Sequence, residues 1–461
     1  MAHDTHFPAV VPEAVSPQAE ELQSCLLTIC PPPSDRSVLK RRRGRPVELS
    51  LPHLALGVLL CLLRGWESQL DLWRRLCFEG VGSWPHLAIC DQTVYTRLGQ
   101  HGMQAMQDCF TQVSLWVAQL APLGASRTLA PFARDVLALD ESTLDRLKRW
   151  LPPLRGLPTG HDGLLPGRLA GLFDVRTQLW RRLDMLPEAR ANGKVHARDM
   201  LSGLQAGTLL LFDRGYFAFE WFDELTTAGF WWISRQIASP SFPVEHILLS
   251  QDGLFDAIVW MGASSSNQAR YAVRLIRSRY QGQWHSYLTN VLNPCVLPAT
   301  EVVRLYARRW DIELAFRLLK DHLRLNLLWS AKWEVIGAQL WACLTLAQLF
   351  HALQMQAAEQ EGVDPFDVSL HLLVRHVPRW LAHGLSPLEQ IQLHGRAMGL
   401  IRPSTRSLPQ LPEVSWQDIC WPPPDLPLQR PPRYSHRPYT HRQKYLFLLC
   451  FRLPGVQCKS Y

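Results

Sequence analysis

Residues 305–320 read Leu305-Tyr306-Ala307-Arg308-Arg309-Trp310-Asp311-Ile312-Glu313-Leu314-Ala315-Phe316-Arg317-Leu318-Leu319-Lys320. The stretch has no Gly or Pro and reads as helix. At roughly 100° per residue, Tyr306, Arg309, Glu313 and Lys320 fall within about 60° of one another. They form a single stripe in which a carboxylate is flanked by two cations and a phenol. A carboxylate can hold a hard divalent metal, and the cations and phenol can hold phosphate. The bland alternative is a salt-bridged helix face, with Glu313 paired to Arg309 or Arg317 at helical spacing.

Two further acids share one context upstream. Val136-Leu137-Ala138-Leu139 is a short apolar run ending at Asp140, and Thr208-Leu209-Leu210-Leu211-Phe212 is another ending at Asp213. Both read as buried strands, and the carboxyl edge of an α/β sheet is where ligands bind. An ordinary turn or helix-capping Asp is the competing reading for either one alone. Asp213 is followed by Arg214-Gly215-Tyr216, where Gly215 permits a tight turn and Arg214 and Tyr216 either reach phosphate or brace the loop. Together, Asp140, Asp213 and Glu313 supply the several carboxylates that a two-metal phosphoryl-transfer site needs.

These motifs, Leu-Asp-Glu-Ser-Thr at 139–143, Phe-Asp-Arg-Gly-Tyr at 212–216 and Tyr306-x2-Arg309-x3-Glu313-x6-Lys320, resemble the DDE transposases of bacterial insertion sequences, specifically the IS-four group. The resemblance covers roughly residues 130–355 directly. Asp91-Gln92-Thr93-Val94-Tyr95-Thr96-Arg97-Leu98 and the basic segment before it extend it into the N-terminal region. It implies an α/β fold: an RNase H-like catalytic core with a β-rich insertion, preceded by an all-helical N-terminal domain. It implies that Asp140, Asp213 and Glu313 are catalytic and hold Mg2+ in a two-metal site, with Mn2+ as a substitute. Tyr306, Arg309 and Lys320 would contact phosphates of double-stranded DNA, with Arg214 beside them. A homodimer would bring two transposon ends together, and the setting would be the bacterial cytoplasm at the nucleoid. The alternatives are a catalytically silent DNA-binding derivative and an RNase H-like nuclease that never joins strands.

The expected organisation has four parts. Residues 1–36 read as a disordered segment closed by Pro31, Pro32 and Pro33. Residues 37–125 read as a helical DNA-binding domain that opens on Lys40-Arg41-Arg42-Arg43-Gly44-Arg45-Pro46. Arg43 and Arg45 resemble the core of an AT-hook, which lies in a narrow minor groove; a solvated basic linker is the equal alternative. The catalytic domain spans 130–355, with candidate strands at 230–235, 255–261, 270–277 and 284–289 inside an insertion at about 229–295. A helix should start near Ala299 with Thr300 as its N-cap, and a long one should run from 333 to 359. Residues 356–461 form a helical, then Pro-rich and basic, tail.

Bulk properties agree without deciding. The chain has 461 residues, 47% of them hydrophobic, enough for two or three domains. A net charge of +8 and a pI near 9.0 suit a polyanionic partner and identify none. The 11 cysteines include no paired Cys-x2-Cys set, which argues against zinc and fits reduced thiols. The apolar runs 51–63 and 336–350 are shorter than the ~20 residues of a membrane span, so no membrane association is expected.

Overall fold

The computed structural model describes residues 49–66, 68–81, 84–120, 129–143, 168–186, 193–238, 241–263, 267–325, 327–330, 332–403, 411–434 and 450–452. The basic segment with Arg43 and Arg45 lies outside them. The chain divides into two compact units, 1–120 with 322–404, and 121–321 with 405–461. These boundaries cut across the linear ones: the long helix after residue 332 groups with the N-terminal helices, and the Pro-rich tail groups with the sheet.

The first unit is built from helices. Leu51–Leu63, Gln69–Arg74, Asp91–Arg97 and Met103–Leu120 come first, with π-helical turns at Arg75–Glu79 and Leu98–Gly102. Ser50 caps the first helix, its hydroxyl accepting from the His53 amide at 3.4 Å, with Pro52 inside the first turn. The 29-residue helix Trp333–Glu361 lies buried among them, Trp341 meeting Phe110 at 5.2 Å. By length and composition this helix could cross a membrane, but 89% of its apolar window is buried inside the protein. Its polar interruptions are satisfied there: Gln339 Nε2 donates to the Leu327 carbonyl at 2.7 Å, and Gln348 Nε2 to Ser114 Oγ at 3.4 Å. Gly362, at φ 63°, ends the helix in the left-handed conformation.

The second unit carries a ten-stranded sheet. In chain order the strands are β1 (Val136–Thr143), β2 (Arg168–Asp174), β3 (Leu179–Leu186), β4 (Leu209–Phe212), β5 (Trp231–Arg235), β6 (Val244–Gln251), β7 (Leu254–Val259), β8 (Val273–Tyr280), β9 (Gln283–Thr289) and β10 (Cys450–Arg452). Their spatial order is β10-β3-β2-β1-β4-β5-β9-β8-β7-β6. β1, β4 and β5 are parallel, and the remaining pairs are antiparallel. All four residues of β4 are fully buried, as a central parallel strand requires, which explains its unbroken apolar run.

Two expectations change here. β1 continues through Thr143 rather than ending at Asp140, because Asp140 to Thr143 keep pairing with β2. Its ladder with β4, however, stops at Leu139↔Phe212, so Asp140 and Asp213 follow adjacent parallel strand ends. β6, like the short β10, had no counterpart in the sequence reading. It is an edge strand with two register shifts, and Val244 and Ile247 stay exposed, so its alternation is broken.

The tail binds along the β6–β8 region. The Cys420 amide donates to the Leu248 carbonyl at 2.8 Å, and the Arg430 guanidinium donates to the carbonyls of Met261, Gly262 and Ala269 while covering Trp260 at 4.6 Å. Tyr434 donates to buried Asp223 at 2.6 Å.

Candidate active site

The signature stretch is not one uniform helix. It forms Ala299–Ala307, then Trp310–Arg317, then a π-helical turn at Leu318–His322. Between the first two the backbone tightens: the amides of Arg308, Arg309 and Asp311 donate three residues back, to Leu305, Tyr306 and Arg308. Thr300 is not the N-cap; Pro298 holds that position, with no side-chain cap bond. The uniform phase therefore fails, yet the four signature residues still converge on the sheet edge, because the sheet docks each piece separately.

Arg309 is the centre of the cluster. Its guanidinium donates to Glu313 Oε1 at 2.5 Å and to Asp140 Oδ2 at 3.3 Å. The Arg309–Glu313 pair named above as the bland alternative is thus present, but the same guanidinium also ties the helix to β1. Arg309 is only 4% exposed; burial opposes its charge, but Tyr306, Glu313 and Asp140 outweigh it. Tyr306 donates a long bond of 3.4 Å to Asp213 Oδ1. Burial pushes its hydroxyl pKa well up, so it acts as a neutral donor. Lys320 Nζ donates to Ser142 Oγ at 2.9 Å, on the extended end of β1.

The strand-end acids are held by their own backbone. Asp140 Oδ1 accepts from the Glu141 amide at 2.8 Å, and Asp213 Oδ1 from the Arg214 amide at 2.7 Å. Burial raises the Asp140 pKa to about 6, against the Glu141 amide and Arg309, with Glu313 and Asp213 adding to the rise. Glu141 is engaged elsewhere, accepting from Arg168 at 2.6 Å.

Arg214 is exposed on a 3-10 turn. Tyr216 is buried against Phe212, so it braces the loop. Gly215 does not take a left-handed φ, and the turn needs no glycine for that reason.

Among the described residues, no three His, Cys, Asp or Glu side chains form a ready metal cage. Arg309 bridges two of the acids in its place. The donor chemistry nevertheless fits a hard divalent cation: three carboxylates face one sheet edge, and Asp140 is raised chiefly by burial, with Glu313 and Asp213 adding to the rise against Arg309.

Two residues escaped the sequence reading. Arg235 ends β5 beside β4 and acts electrostatically on both Tyr306 and Tyr287. Trp310 is 54% exposed with Arg309 at 5.2 Å from its ring. The cue for Arg235 was its place at a third strand end. Trp310 carried none beyond adjacency to Arg309. Of the insertion tryptophans, Trp232 is core, stacked on Phe222 at 4.2 Å, and Trp284 is 45% exposed beneath Arg277.

Comparison with known proteins completes the picture. The family model for the transposase DDE domain matches residues 136–349, from the first residue of β1 through both strand-end acids and the signature helices. The stretch 136–349 resembles a transposase DDE domain. The chain is 25% identical over 191 residues to a Sinorhizobium fredii protein named as a transposase, y4zB, covering 39% of this chain and 52% of that one. It is 24% identical over 236 residues to the Escherichia coli transposase InsG for insertion sequence element IS4, covering 47% and 52%. The chain spans about half the length of the curated relatives it matches. A solved structure, the piggyBac transposase synaptic complex with hairpin DNA, aligns over 86% of this chain and 87% of that one, at 10% identity and a TM-score of 0.41.

Proposed function

We propose that this protein is a DNA transposase that binds double-stranded DNA at the ends of an insertion sequence, cuts there and joins the freed ends to new DNA. The observation that carries the reading is that Arg309 holds Glu313 of the signature helix to Asp140, next to Asp213, which accepts from Tyr306 and follows the adjacent parallel strand, in a stretch that matches the transposase DDE domain. The strand order β3-β2-β1-β4-β5, with β1, β4 and β5 parallel, supports an RNase H-like core, and β6 to β9 supply its β-rich insertion.

In this reading Asp140, Asp213 and Glu313 hold Mg2+, with Mn2+ able to replace it. A bound divalent cation supplies activation of the attacking oxygen and charge stabilisation at the leaving oxygen. The protein's own groups do the rest. Arg309 and Lys320 give up protein partners for phosphate oxygens, Tyr306 donates its hydroxyl, and Arg214 extends the basic rim from the Asp213 loop. The N-terminal helices, with Arg43 and Arg45 before them, add duplex contacts, and a homodimer holds two ends for paired cutting. The soluble, nucleoid-bound setting of such an enzyme follows from its substrate.

The test uses purified protein, Mg2+ and labelled duplexes that carry the inverted repeats flanking the gene. The proposal predicts cleaved and joined products that vanish with Asp213→Asn. Binding without cutting points to a silent derivative, and cutting without joining to a nuclease; either result overturns the transposase reading.

A further inference from the structure

The tightened joint between the two signature helices is held by a buried polar network away from the reacting acids. Asp311 lies in the first turn of the Trp310–Arg317 helix, and its side chain is fully buried. It accepts from Arg308 Nε at 2.8 Å and from Gln178 Nε2 at 2.9 Å. Gln178 Nε2 also donates to the Val175 carbonyl at 2.9 Å, and Arg308 donates to the same carbonyl at 3.1 Å. Two donors on the helix and turn thus share one carboxylate oxygen and one carbonyl. An ionised carboxylate only accepts, so the Gln178 amide has one orientation that satisfies both contacts.

Gln178 belongs to the β2–β3 turn and has φ 57°, a conformation uncommon for a residue with a side chain. The turn is otherwise set by Asp174, which accepts from the Arg176 and Thr177 amides at 2.9 and 3.1 Å. Glutamine at a left-handed position is strained where glycine is not, and what it gains in return is the pair of bonds to Asp311 and Val175. Asp311 lies two residues before Glu313 and two after Arg309. Whatever fixes Asp311 on the β2–β3 turn fixes the rotation of the turn that presents both.

We infer that Asp311 and Gln178, with Arg308, are positioning residues that index Glu313 and Arg309 to the sheet edge. This rests on the proposed function and adds a joint to it. Phe316 secures the other end of the same helix against Trp180 at 4.9 Å, so the polar joint sets rotation while the aromatic contact sets depth.

The experiment compares Gln178→Gly, Asp311→Asn and a control, Ile233→Val, which trims the β5 core without touching the joint. Gln178→Gly suits the left-handed backbone while removing the side chain and its amide; Asp311→Asn keeps volume and loses charge. Each is measured for thermal midpoint, DNA-end affinity and single-turnover cleavage with Mg2+, beside Glu313→Gln. The inference expects both joint variants to bind ends within about two-fold of wild type and to cleave about ten-fold slower or worse, since small misplacements at a reacting centre are costly. Ile233→Val should cleave normally. Wild-type cleavage rates in Gln178→Gly and Asp311→Asn, with Glu313→Gln inactive, overturn the joint and leave the function standing. A wild type that shows no Glu313-dependent cleavage overturns both.

Discussion

At the scale of single residues, Asp140 holds the conflict between stability and function. Its carboxyl is raised to about 6 chiefly by burial, with Glu313 and Asp213 adding to it. The folded protein therefore binds this proton more tightly than the unfolded chain does. The advantage is complete below about pH 4 and is lost as pH rises through about 6, so above that the ionised Asp140 costs on the order of 2–3 kcal/mol. Asp140→Asn should raise the unfolding midpoint of metal-free protein at pH 7.5, with the gain fading toward pH 4, while abolishing cleavage. Thermal unfolding across that range checks it; a variant less stable than wild type at pH 7.5 would contradict the assignment. The two strand-end acids were legible because each closes an apolar run. Glu313 was legible through its spacing to Tyr306, Arg309 and Lys320. Arg309's grip on Asp140 was not, since no local pattern records a contact across 169 residues.

Among the elements, the helix carrying Glu313 depends on a close approach to β2. A Cβ at Gly171 would stand 2.5 Å from the Trp180 ring and 3.2 Å from Phe316. Trp180 is fully buried and cannot swing aside. Gly171→Ala should cost about 1–3 kcal/mol by overpacking, and it should slow cleavage more than DNA binding because it lifts the Phe316 end of the helix. Denaturant unfolding and single-turnover assays read the two effects separately. The sequence marked most strands, by apolar runs and, for β2 and β3, by the loose alternation of Leu169 to Leu186, which reads as a hairpin. It missed β6, whose bulges and exposed Val244 and Ile247 break that pattern. It also gave the signature as one uniform helix. The tightening at Arg308–Arg309 and the π-helical turn at Leu318–His322 come from tertiary bonds to the β2–β3 turn and to Ser142, which helix propensity does not encode.

For the whole molecule, the proposed function together with an excess of eight positive charges predicts salt-dependent DNA binding. Lys320→Ala should weaken end binding at every ionic strength and lower the slope of log affinity against log salt by about 1, without changing divalent-cation binding. Fluorescence anisotropy over a salt series measures it. Domain boundaries were the least legible feature. Residues 322–404 pack with the N-terminal helices and residues 411–434 lie along β6 to β8, pairings between distant parts of the chain that composition does not signal.

The central claim is that Asp140, Asp213 and Glu313 act as one divalent-cation site. Its most direct test is a Mg2+ titration followed by thermal unfolding at pH 7.5, on wild type, Asp140→Asn, Asp213→Asn and Glu313→Gln. Wild type should gain stability with rising Mg2+ and each variant should lose most of that gain, because cation binding to the folded state alone raises stability by mass action. An equal gain in all four proteins would contradict the claim.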